Sequence, residues 1–230
     1  MIVVTMEDIL SLLRSAAFTA WGVPTSWAEL LGFITGAICV WLVARQNIWT
    51  WPIGLVNNAM FFVLFLTAKL YADASLQVVF GVLAIYGWYR WIRPNVDATL
   101  VHIRRTTKSE WFAFALCGVV GVGASTFWLA SSTDSPVPFW DSTVLVLSLL
   151  ATYGQANKLL ESWWLWIAVD VISVPLYVSR SLYLTAILYA VFLAICLFGL
   201  RTWSRELASQ RGAGMRGPLE PRFQADPQTS

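Results

Sequence analysis

The sequence predicts an all-α membrane protein: seven core transmembrane helices, laid out as two parallel three-helix repeats joined by a linker helix. Three observations carry that expectation. Of the 230 residues, 58% are hydrophobic and only 12% charged, and the charged ones are confined to short stretches between long apolar blocks, as in a chain whose solvent is lipid. Windows of about 20 residues divide these blocks into seven spans. The two halves of the chain also resemble each other at a near-constant offset.

Residues 1–26 are expected to lie outside. Glu7 and Asp8 stand where a signal peptide would have its basic start, and there is no cleavage site, so residues 6–18 read as a short interfacial helix. Spans at 28–44, 51–68 and 72–92 form the first three-helix repeat (27–92). A basic loop follows over 93–110, then the linker helix over 111–130. Spans at 139–157, 163–179 and 182–200 form the second repeat (139–203). The tail, 204–230, ends in RGAGMRGPLEPRFQADPQTS, rich in Gly, Pro and polar residues, and is expected to be disordered.

Counting Lys and Arg in alternate loops places 12 of the 15 on one side, among them Arg45, Arg90, Arg104 and Lys158, and leaves only Arg14, Lys69 and Arg180 on the other. The crowded side is expected to be cytoplasmic, which puts the amino terminus outside and the carboxyl terminus inside. An offset of 113 pairs Trp27 with Trp140, Arg45 with Lys158, Trp51 with Trp164 and Asn57 with Asp170. After one deletion the offset becomes 112 and pairs Leu70 with Leu182, Gly87 with Gly199 and Trp91 with Trp203. A three-span unit fused directly to its copy would invert the copy, and the fourth span restores a common orientation. Parallel repeats of this kind occur in transporters, with the substrate site near mid-membrane at the repeat interface.

Several chemistries find no support. Cys39, Cys117 and Cys196 fall in three different spans with no C-x-x-C, so they are expected to be free, buried, structural thiols. His102 has no second His nearby, and neither a metal site nor a cofactor is expected. Walker, G-x-S-x-G and H-E-x-x-H patterns are missing. No catalytic residues and no nucleic-acid partner are expected.

What the sequence does offer is WWLWIAVDVISVPLY, residues 163–177, in which a carboxylate lies deep in an apolar run. On a helix Trp163, Trp166, Asp170, Ser173 and Tyr177 share one face. An intramembrane carboxylate generally faces a cavity or a partner, so Asp170 has two readings, a ligand contact or a hydrogen bond between helices. Trp163 and Trp164 begin the span, and the interfacial aromatic belt competes for both. Pro175 removes a backbone hydrogen bond and can bend the helix. Asn57 and Gln77 are amides able to meet polar parts of a ligand, with interhelical bonding as the competing role. Gly32 and Gly36 read as plain close packing.

The segments NNAMFFVLFLTAKLYADASLQVVFGVLAIYGWYRW and VPFWDSTVLVLSLLA, followed by W-x-x-W-I-x-x-D-V-I-S, resemble the PnuC family of bacterial nicotinamide riboside transporters, from about Trp27 to Trp203. The resemblance implies seven core helices as two three-helix bundles with a linker helix, similar in architecture to the SWEET sugar transporters, in a homotrimer of the bacterial inner membrane. It implies facilitated diffusion of a vitamin, trapped afterwards by a separate cytoplasmic kinase. It also implies that Trp163, Trp166, Asp170 and Gln77 line the site, with Asn57 and Tyr189 as neighbours. Asp170 departs from relatives with Asn there. A carboxylate suits a cationic ring, in nicotinamide riboside or in thiamine, and the wider family also includes riboflavin carriers, so the vitamin stays open. A membrane-embedded enzyme would need a second ionisable group at the depth of Asp170, and a sugar carrier would not need tryptophans backed by a carboxylate.

Overall fold

The computed structural model describes residues 8, 11–13, 15–20, 23–67, 71–93, 102–133, 136–179 and 183–215. Among them are two short strands, β1 (Ala16–Ala20) and β2 (Val23–Ser26), and seven helices: α1 (Trp27–Ala44), α2 (Thr50–Thr67), α3 (Tyr71–Ile92), α4 (Lys108–Ser132), α5 (Pro138–Ala156), α6 (Ser162–Ser179) and α7 (Tyr183–Met215). By length and composition, Lys108–Ser132, Ser162–Ser179 and Tyr183–Gln210 can each cross a membrane, and Leu30–Ala44 and Thr50–Leu66 are shorter apolar helices.

Two expectations at the ends of the chain need correction. The helix expected over 6–18 is present at residues 8 and 11–13 but gives way by Ala16 to an antiparallel ladder pairing Phe18 with Thr25 and Ala20 with Val23, with an irregularity between Ala16 and Phe18. Aromatic and β-branched residues in AAFTA and VPTS suit a pleated ribbon better than a helix. At the other end α7 runs on to Met215, so 204–215 is not disordered. RTWSRELASQ has the composition of a good helix, and Gln210 Nε2 donates to Glu206 Oε1 one turn back at 3.4 Å. Residues 216–230 lie outside the described residues.

Consecutive helices pack so as to close a ring: α1 on α2, α2 on α3, α3 on α5, α5 on α6, α6 on α7, and α7 back on α1, while α4 packs against α5. The start of α4 is held by chemistry local to the basic loop. Thr107 and Glu110 form a capping box, which satisfies two backbone donors that a helix start leaves orphaned. Arg104 grips the same carboxylate through Nη1 and Nη2 at 2.9 and 2.6 Å, and that pairing raises the guanidinium pKa above its ordinary value. Thr106 donates through N and Oγ1 to Glu161 Oε2 at 2.8 and 2.9 Å. Arg104 also exchanges backbone bonds with Lys158 and Leu160, so the loop is sewn to the base of α6.

The two halves make the same contacts at a fixed offset of 112. Trp51 meets Trp91 edge to face at 5.4 Å, and Trp163 meets Trp203 in the same way at 5.5 Å. A side chain on Gly87 would strike the Trp51 ring, and one on Gly199 the Trp163 ring, so each glycine is a close-approach position. Trp91 Nε1 donates to the Gln155 carbonyl at 3.3 Å and Trp203 Nε1 to the Val43 carbonyl at 3.2 Å. Trp41 stacks on Phe198, and Tyr153 on Tyr86. Gln46 and Lys158 both adopt left-handed backbone angles, φ 53° and 49°. These pairs hold one offset from Trp41 to Trp203, so the expected pairings of Trp51 with Trp164, Arg45 with Lys158 and Asn57 with Asp170 are each out by one residue. The partners are Trp51 with Trp163, Gln46 with Lys158, Gly54 with Trp166, and Asn58 with Asp170. Each aromatic contact of this kind contributes about 0.5–1.5 kcal/mol beyond burial, and each indole–carbonyl bond about 1 kcal/mol.

Candidate functional site

The ring encloses a cavity of about 270 Å³ to which each of its six helices contributes, from Gly36 and Cys39 on α1, Trp51 and Asn58 on α2, and Phe80 on α3 to Thr152 on α5, Trp166 and Asp170 on α6, and Tyr189 and Phe192 on α7. Its lining is mostly apolar and aromatic with a few convergent polar groups, which is how small-molecule sites are built.

Helix α6 sets the chemistry. The shared face expected for it is the face it buries: Trp163 is 0% exposed, Asp170 2% and Ser173 0%, whereas Trp164, off that face, is 56% exposed. The face divides along its length. Trp166 and Asp170 reach the cavity. Trp163 does not; its indole is pinned between Trp203 and Gly199, so of the two tryptophans only Trp166 faces the cavity. Tyr177 also stays off the lining and stacks on Tyr189 at 5.1 Å. Gln77, half-buried on α3, is not brought to the cavity either. Of the residues expected to form the site, the structure gathers Asn57, Trp166, Asp170 and Tyr189.

The polar inventory of the cavity is unevenly used. Asn57 Nδ2 donates to Thr35 Oγ1 and, at 3.5 Å, to the Gly32 carbonyl, which ties α2 to α1. The Cys196 thiol lies beside Asp170 in the lining, while Asp170 Oδ2, Trp166 Nε1 and Trp51 Nε1 are buried with no partner among the described residues. Buried polar atoms are rarely left unpaired without a reason. Two indole donors and a carboxylate oxygen around one cavity, Trp51 on α2 and Trp166 and Asp170 on α6, make a matched set for a ligand with acceptors and a positive or donor-bearing group.

Trp51 and Asn58 are among the lining residues that were not expected. Asn58 follows from the offset of 112 as the counterpart of Asp170, whereas Trp51 lines the cavity although its counterpart, Trp163, does not. Cys39 and Cys196 are free thiols that line the cavity, whereas Cys117 is exposed on α4, contrary to the expectation of three buried thiols. Gly32 abuts the Phe61 ring and Gly36 the Phe192 ring, as close packing requires.

A family model described as nicotinamide mononucleotide transporter matches residues 26–205. The nicotinamide riboside transporter PnuC of Escherichia coli (strain K12) is 31% identical over 219 residues, the match covering 84% of this chain and 91% of that protein. The riboflavin/roseoflavin transporter RibM of Streptomyces davaonensis is also 31% identical, over 194 residues, with 83% of this chain and 91% of that protein covered. The crystal structure of the vitamin B3 transporter PnuC superposes with a TM-score of 0.62 at 21% identity, covering 80% of this chain and 83% of that one.

Proposed function

The chain belongs to the nicotinamide mononucleotide transporter family, a multi-pass membrane protein, and from that premise we propose that it carries nicotinamide riboside by facilitated diffusion. The observation that carries the reading is the pairing of Trp166 with Asp170 on the wall of a cavity ringed by six helices. A pyridinium ring over an indole gains about 2 kcal/mol when desolvated, and the Asp170 carboxylate adds attraction to the same cation. Trp51 Nε1, Trp166 Nε1 and the amides of Asn57 and Asn58 supply partners for ribose oxygens. Gln77, Trp163 and Tyr177 act behind this wall, holding the helices that present it.

In this reading the helices form two parallel three-helix repeats with α4 as linker, an arrangement like that of the SWEET carriers. The arginine-rich ends face the cytoplasm, three copies assemble in the inner membrane, and a cytoplasmic kinase traps the product. A second reading, riboflavin, is favoured by one observation, the equal identity to RibM. Size argues for the smaller ligand. A cavity of about 270 Å³ falls just below the ~300–1,000 Å³ common for ligand sites, which suits a nicotinoyl riboside better than a tricyclic flavin.

Uptake into proteoliposomes tests this directly. Labelled nicotinamide riboside should equilibrate with its initial rate unchanged when proton and sodium gradients are collapsed, with riboflavin, thiamine and glucose competing poorly. A rate that follows either gradient would refute uniport, and preferred uptake of riboflavin would transfer the site to the second reading.

A further inference from the structure

The two halves close on each other at the arginine-rich end of the cavity. Val43 and Gln155, counterparts at the offset of 112, both line the cavity, and their carbonyls are the acceptors for Trp203 and Trp91. Each of these bonds crosses from one half to the other. Three residues further along each chain stand Gln46 and Lys158, again counterparts, and their side chains meet: Lys158 Nζ donates to Gln46 Oε1 at 3.1 Å and lies over the Trp91 ring, 4.6 Å from its centroid.

This contact is unusual in what it omits. Burial lowers the Lys158 pKa below the ordinary lysine value, with Glu206 acting at a distance to raise it. Yet among the described residues no carboxylate comes within ion-pairing distance of Lys158. A desolvated ion pair is strongly disfavoured from breaking, because each partner would be left uncompensated. An amide and an indole face hold the ammonium more lightly and leave the separated groups easy to solvate. Both residues also sit in the left-handed region, each as the residue that ends its own helix: Gln46 N donates to the Val43 carbonyl and Asn47 N to Leu42, and Lys158 N donates to Gln155 and Leu159 N to Gly154, the paired bonds of a left-handed helix cap. Each half therefore presents its latch residue from a cap built within that half.

We propose that Gln46 and Lys158, stacked beneath the Trp91 and Trp203 crossbars, are the latch of a gate that seals the arginine-rich end of the cavity and parts once per transport cycle. The proposal rests on the carrier reading given above. The gate separates along the line between the halves, so the crossbar bonds and the latch open together.

Two experiments on the full-length protein in proteoliposomes decide it. First, the Gln46→Cys/Lys158→Cys double variant is bridged by a short bifunctional methanethiosulfonate, the 46–158 link being verified by peptide mass spectrometry. Uptake of nicotinamide riboside should fall to background while binding from the far side persists, and reduction should restore it. Undiminished uptake by the bridged protein overturns the proposal. Second, Lys158→Met keeps the aliphatic stem over Trp91 and removes the donor. Cys39 and Cys196 should then react several-fold faster with a membrane-impermeant maleimide supplied at the arginine-rich face, and an unchanged rate overturns the proposal. This second readout needs no substrate. If the native protein fails to carry nicotinamide riboside and the maleimide rate still rises, the substrate reading fails and the gate stands.

Discussion

At the scale of single residues, the tryptophans of α6 separate two roles that a helical face alone cannot. Trp163 and Trp166 lie on one stripe, but Trp163 is clamped between Trp203 and Gly199 whereas Trp166 opens onto the cavity with a free indole N–H. Trp163→Ala should therefore cost about 3–5 kcal/mol of stability through the void it leaves, seen as a lowered melting temperature of the purified protein. Trp166→Ala should weaken ligand binding by about 1–3 kcal/mol, the scale of a lost base–aromatic stack, with the melting temperature nearly unchanged. Asp170→Asn keeps size and hydrogen bonding, so affinity for a cationic nicotinoyl riboside should drop while that for an uncharged analogue holds. Equal losses in calorimetric titration would make Asp170 a bond between helices.

The same residues show what could be read in advance. Spacing alone was enough to place Asp170 on a buried stripe, because the period of a helix is fixed. It could not say where along the stripe the cavity begins, since that depends on which residue of α7 faces each turn. The doublets Trp163-Trp164 and Asn57-Asn58 made matters worse: either member aligns with its opposite half, and neighbouring helical residues point about 100° apart. Gly87, Trp91, Gly199 and Trp203 already held the offset of 112, and extending it unbroken to Trp51 would have marked Trp163 as a packing residue.

At the scale of elements, helix–helix contact in this protein depends on two glycines that admit an indole. Replacing Gly87 or Gly199 by Ala puts a methyl group into the Trp51 or Trp163 ring, and neither ring has room to turn, each being packed edge to face. Overpacking of this sort costs typically about 1–3 kcal/mol, so each variant should unfold earlier in a detergent thermal scan, and by similar amounts. The apolar blocks marked every helix of the ring because a long apolar run stands out in composition. The β1–β2 ribbon did not, since its strands are four and five residues long and carry too few positions for a period to appear. The extension of α7 past Trp203 is obscured in composition by the Gly- and Pro-rich residues that follow it.

At the scale of the whole molecule, α4 is set apart. It packs on α5 and exposes Phe112, Val119 and Phe127, each more than 70% accessible, a face that suits lipid or another copy of the chain and not water. With α4 spanning the bilayer, its two ends should fall on opposite sides. In intact cells an impermeant thiol reagent should label Ser132→Cys and spare Lys108→Cys, both positions being exposed. The reverse pattern would overturn the orientation drawn from the arginines.

The crossbars between the halves end on backbone carbonyls, at Val43 and Gln155, and not on side chains. A carbonyl is offered by every amino acid, so the acceptor survives any substitution at either position. After a duplication, the interface between the copies would have stayed intact while the side chains around it drifted, and only the two donor indoles needed to be kept. That freedom accounts for a framework in which Gly54 stands opposite Trp166 and Asn58 opposite Asp170. The two copies were free to diverge in the residues that line the cavity without loosening their grip on each other.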